Sequence, residues 1–142
     1  MAQYLAGLDL SVFVYDYDHN APSLEHLEKT HEPLFKTVRA KHPNLPVVMV
    51  SVSDDAYGEG IMARREAILR TYNNARAAGD QNVYFVDGRK MYEQFGLALC
   101  TVDGCHPNDI GMQRIADAVS NILYFAIYKS GSPLPTRHTD AL

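Results

Sequence analysis

Three short apolar runs alternate with longer amphipathic segments, and this order constrains the fold more than any other feature. Residues 10–17 (Leu-Ser-Val-Phe-Val-Tyr-Asp-Tyr), 45–51 (Leu-Pro-Val-Val-Met-Val-Ser) and 82–86 (Asn-Val-Tyr-Phe-Val) are rich in β-branched and aromatic residues and read as strands. The middle run is apolar on both faces, as a central parallel strand must be. Between the runs, Leu24, Leu27, His31, Leu34 and Val38 recur at spacings of three and four, and Ile61, Ile68, Tyr72 and Ala75 share a second helical face. Pro33 removes a backbone donor, so a kink or split is expected within 23–42, and Gly79 is the expected stop for 61–78. After Asp87-Gly88 a short helix is expected around Met91–Phe95. Pro107 then suits the first turn of a last helix, which reaches about Tyr128 with Ile110, Ile115, Val119, Ile122 and Ala126 as its stripe. The βαβαβα order implies a three-layer αβα domain with a parallel sheet of at least three strands, spanning residues 1–128. Residues 129–142, rich in Pro and Ser, read as a mobile tail.

Composition narrows the function classes. Of the 142 residues, 46% are hydrophobic, enough for a packed core and too many for a disordered chain. Thirteen Lys and Arg against seventeen Asp and Glu give a net charge of −4, which argues against a nucleic-acid partner. No apolar run approaches the ~20 residues that span a bilayer, so no membrane partner is expected. No signal peptide opens the sequence, and two cysteines are too few for a secreted disulfide scaffold, which makes the cytoplasm the default compartment.

In parallel α/β sheets the site lies beyond the carboxyl ends of the strands. Those ends carry Asp16 to Asn20, Ser51 to Asp55, and Asp87, and the loop holding Asp103 and His106 should reach the same rim. The most specific pattern is Asp103-Gly104-Cys105-His106-Pro107-Asn108-Asp109 before the last helix. An Asp three residues before a His can fold back onto the imidazole Nδ1–H, leaving Nε2 as a general base. The plainer alternative is a turn aspartate and a helix-capping surface histidine.

Asp-x-x-His-Pro before the terminal helix resembles the last conserved block of the SGNH (GDSL-type) hydrolases, a family of serine ester hydrolases. The segment Phe13-Val14-Tyr15-Asp16-Tyr17-Asp18-His19-Asn20-Ala21-Pro22 resembles the family's third block, although the commoner Gly-x-Asn-Asp form is not kept. The resemblance implies Asn20 as an oxyanion donor, Asp103 as orienting acid and His106 as base. It implies hydrolysis of an acyl or acetyl ester of a carbohydrate or small molecule; no cofactor or metal is expected. The family's nucleophile block, Gly-Asp-Ser or a variant, and its second block with an oxyanion Gly are not matched in this sequence. The opening Met-Ala-Gln-Tyr-Leu-Ala-Gly-Leu is similar to the end of the helix that leads into the third-block strand. The expectation is therefore a fragment with little or no activity alone. An uncovered strand edge along 10–17 would then favour a self-associating, non-catalytic module, most simply a symmetric dimer.

A rival reading starts from Asp16-x-Asp18, which resembles the first motif of haloacid-dehalogenase-type Mg²⁺-dependent phosphatases. Ser51, Lys90 and Asp103 or Asp109 would complete that set. Ser51 and Ser53 also stand on the correct rim for a nucleophile, but neither lies on a Gly-x-Ser-x-Gly elbow. Cys100, Cys105 and His106 lack the paired spacing of a zinc site. His31 reads as a packed core histidine, Arg64-Arg65 and Arg89-Lys90 as solvated pairs, and the nine tyrosines mostly as core residues.

Overall fold

In the computed structural model, which describes residues 1–53 and 59–129, each apolar run supplies one strand of a parallel sheet ordered β1-β2-β3. The strands are β1 (Phe13–Asp16), β2 (Val47–Val50) and β3 (Val83–Val86), with Phe13 opposite Val47 and Val47 opposite Val83. All four residues of β2 are buried, because neighbours flank both of its edges and helices cover both of its faces. The period-two alternation divides it. Val47 and Met49 join Tyr15, Leu27, Phe35 and Ile68 on one face, whereas Val48 and Val50 join Val86, Tyr92 and Cys100 on the other. Two cores on one sheet make the three layers that the sequence implies.

The first core is closed by α2 (Leu24–Lys41) and α3 (Glu59–Ala77). Ser23 caps α2 by accepting the His26 amide at 3.1 Å. The expected break at Pro33 does not occur: α2 runs through it, with Pro33 on the exposed side of the helix. Gly79 ends α3 as expected. At φ +91° it lets Asp80 N–H reach Ala75 O and its own N–H reach Arg76 O, a Schellman closure. The opening residues form α1 (Ala2–Ala6), which packs on α2, and His42 Nε2 hydrogen-bonds to Ala6 O at 3.0 Å.

The segment after β3 differs from the sequence expectation. No helix forms at Met91–Phe95; a 3₁₀ turn spans Gly88–Lys90, and the short helix is α4 (Leu97–Cys100). The Asp87 carboxylate accepts Arg89 N–H and starts the turn, Tyr92 is drawn into the core, and Gly96 at φ +74° reverses the chain. Pro107 also lies outside the last helix, α5 (Asp109–Lys129). It pairs across from Thr101, and Asn108 caps the helix by accepting Gly111 N–H at 3.1 Å. Gly111 allows this approach, because a Cβ there would stand 2.0 Å from Cys100 O. The apolar stripe of α5, with Ile115, Val119 and Ile122, covers the second core. Among the described residues no helix is long and apolar enough to cross a membrane. The expected mobile tail and the loop with Asp54 and Asp55 lie outside the described residues, apart from Lys129 at the end of α5.

Candidate active site

The Asp103–His106 turn is built from its own short sequence. Gly104 adopts φ +85° and donates its N–H to Thr101 Oγ1 at 3.1 Å. Asp103 Oδ1 accepts the amides of Cys105 and His106 at 3.0 and 2.8 Å, and its Oδ2 lies 2.7 Å from His106 Nδ1. The His106 amide, then the His106 ring and the Cys105 amide, draw the Asp103 carboxyl down to about 2. Asp103 is thus an anion throughout the ordinary pH range, and its partner Nδ1 carries the proton. That tautomer leaves the Nε2 lone pair outward in the neutral ring. The His106 side chain is 75% exposed, and Nε2 has no hydrogen-bond partner among the described residues. The arrangement can accept a proton from a group brought to it.

Asn20 closes a 3₁₀ turn, Asp18–Asn20, that follows β1. It borders a groove of about 700 Å³ along the outer edge of β1, with Leu5, Val14 and Leu34 among its walls. His19, one residue earlier, borders instead a smaller pocket of about 250 Å³ with Cys105 and Pro107, the two neighbours of His106, over Val50 and Met91. Asp16 touches both spaces. Loss of hydration at the strand end raises its carboxyl above the usual range, with His19 opposing and the Asp18 charge adding to the shift. The fold therefore joins Asp103 to His106 directly and brings the Asn20 turn to the same rim. No hydrogen bond links Asn20 to either residue among those described.

Several sequence expectations for this rim are corrected. Arg64 and Arg65 are not a solvated pair. Arg64 Nε meets Asp18 Oδ1 at 2.8 Å, and Arg65 grips Asp87 in bidentate fashion at 3.0 and 2.7 Å. Arg89 shares Asp87, at 3.1 and 2.8 Å. Burial raises the Asp87 carboxyl, but the Arg65 and Arg89 guanidiniums outweigh it and hold the group well below the usual range. Asp18 is fully buried, with Oδ1 on Arg64 and Oδ2 on the Val52 amide at 2.9 Å. Neither oxygen is free for the acid–base role that the phosphatase reading needs.

Both rim serines have structural partners: Ser51 Oγ accepts the Gly88 amide at 2.9 Å, and Ser53 Oγ donates to Tyr92 Oη at 3.2 Å. Tyr15 and Tyr92 are core residues, whereas Tyr4, Tyr124 and Tyr128 are exposed. His31 is a core histidine as expected, bonded to Thr71 Oγ1 at 2.9 Å and stacked on Tyr15. The involvement of Arg64 carried no local signal, because its partners lie more than forty residues away.

Comparison with solved structures places this rim in a known fold. A protein from Bacteroides ovatus described as a GDSL-like lipase superposes with a TM-score of 0.75 at 25% identity, over 89% of this chain and 39% of its own. The salicylyl-acyltransferase SsfX3 from a tetracycline biosynthetic pathway matches at 0.69 and 18% identity, over 87% and 40%. An active-site mutant of a family two carbohydrate esterase from Clostridium thermocellum matches at 0.63 and 18%, over 85% and 37%. The chain thus spans about two fifths of the length of these structures. No curated protein matches it in sequence. Residues 1–124 match the model of the GDSL-like lipase/acylhydrolase family: the chain belongs to that family.

Proposed function

We propose that this chain carries the acid–base half of an ester-hydrolase site. His106 takes a proton through Nε2, Asp103 fixes the tautomer and stabilises the imidazolium, and Asn20 donates its side-chain amide to an oxyanion. The observation that carries this is the 2.7 Å contact from Asp103 Oδ2 to His106 Nδ1, beside an exposed Nε2 with no hydrogen-bond partner among the described residues. The substrate class is an acyl or acetyl ester of a small molecule or carbohydrate, a reading supported by the family match and by the esterase neighbour. Ser51 and Ser53 are held by other groups, so activity of the chain alone is low. The test is hydrolysis of p-nitrophenyl acetate. A slow rate that falls to background in His106→Ala is expected; equal rates in the two proteins would remove the catalytic reading.

A second reading, a self-associating module, is favoured by the open side of the sheet. The outer edge of β1 has no strand partner among the described residues, Val14 on it is 38% exposed, and Met1 and Tyr4 of the adjoining α1 region are more so. Unpaired strand edges with apolar surroundings recruit further chains. A symmetric dimer covering this edge is expected in sedimentation at micromolar concentration, and a monodisperse monomer would remove the proposal.

A further inference from the structure

The turn that carries Asn20 is held by a device outside the acid–base pair. Of its residues, Asp18 is 0% and Ala21 4% exposed, while His19 and Asn20 between them face outward. Arg64, reaching from α3, engages both buried anchors. Its Nε donates to Asp18 Oδ1, and its Nη2 donates to the carbonyl of Asp18 and, at 2.9 Å, to that of Ala21. Asp18 Oδ2 in turn accepts the Val52 amide just beyond β2. The turn's own backbone adds the Asn20 and Ala21 amides, both donating to Tyr17 O.

We infer that Arg64 and Asp18 are positioning residues that bracket the His19–Asn20 peptide and hold Asn20 at the rim. The charges suit this role. A buried carboxylate needs a cation and fixed donors, and a planar guanidinium can hold three acceptors in a set geometry that an ammonium cannot. An arginine serving only to fasten α3 to the sheet would need the Asp18 carboxylate alone; here the same group also takes up a carbonyl on each side of the displayed pair. For catalysis the inference rests on the proposed role of Asn20, because a donor displaced by about 1 Å forfeits much of its effect on a developing oxyanion.

The test uses the full chain with Arg64→Lys and Arg64→Met, and with Arg39→Met as a control that breaks a different ion pair, Arg39 with Asp80. Backbone ¹⁵N relaxation reports the His19 and Asn20 amides. In the wild type they should have order parameters of about 0.85, falling below about 0.6 in either Arg64 variant while the amides of α3 and β2 stay rigid. Arg39→Met should leave both amides unchanged. Unchanged order at Asn20 in folded Arg64→Lys would overturn the inference, and this variant keeps the test open if Arg64→Met does not fold.

Hydrolysis of p-nitrophenyl acetate separates this inference from the function it builds on. Arg64→Lys should lower kcat roughly tenfold or more with KM little changed, and should have no further effect in an Asn20→Ala background. Additive losses in that double variant would overturn a positioning role through Asn20. Absence of any His106-dependent rate would remove the hydrolase reading, while the relaxation data would still judge the clamp.

Discussion

The two aspartate turns at the rim, one at Asp18 and one at Asp103, solve the same problem in opposite ways. Each uses a carboxylate to hold a turn that presents a side chain to solvent. Asp103 does so within its own loop, bonding to residues two and three positions on. Asp18 does so through Val52 and Arg64, which are distant in sequence, and is wholly buried in consequence. A local carboxylate stays hydrated and contributes little to folding, whereas a remote one is part of the core and the fold depends on it.

The sharpest break of that comparison is Asp18→Ala against Asp103→Ala. The first strands the Arg64 guanidinium and the Val52 amide, and should cost about 3 kcal/mol or more. The second removes a solvent-exposed group whose partners can turn to water, and should cost clearly less. Urea unfolding measures both, and equal losses would erase the distinction.

The histidines extend it. His31 is buried against Tyr15 and Thr71, and burial lowers its pKa from 6.5 to about 4, with Glu32 opposing. The unfolded chain therefore takes up the proton first. The associated stability is complete above about pH 6.5 and is lost as the pH falls toward 4, by about 2 kcal/mol between pH 7 and 5. Unfolding at the two pH values should reveal this component in the wild type and its absence in His31→Leu.

A smaller effect is expected at the local cap of α5. Asn108→Ala should cost about 1 kcal/mol in thermal or urea unfolding by freeing the Gly111 amide. The smallest change in stability is expected for Asp103→Asn, which keeps shape and loses charge. It should nonetheless shift the His106 proton from Nδ1 toward Nε2, visible in the ¹⁵N resonances of the ring. An unaltered tautomer would show that Asp103 does not orient His106.

The same division explains what was legible in the sequence. The dyad, the Schellman glycine, the strand runs and the helix faces are all encoded within a few residues, where spacing and chemistry can be read directly. Arg64 and Arg65 looked like a solvated pair because nothing beside them announces Asp18 or Asp87, which only the packed fold brings near. Gly88 carries no local signal of its role. Its actual constraint is tertiary, since a Cβ there would stand 1.9 Å from Val52 O. The helix expected at Met91–Phe95 failed for a related reason: burial of Tyr92 and the Gly96 reversal outweighed local periodicity.

The strands lie in the sheet in the order in which they occur in the chain. Each strand can therefore dock as soon as it and the preceding crossover have left the ribosome, without waiting for a remote partner. The two faces of β2 do not mature together. Val47 and Met49 are sheltered once α2 and α3 have closed over them, but Val48 and Val50 wait for α5. During synthesis that second face stays open longest, and exposed apolar surface of this kind favours aggregation until α5 has docked.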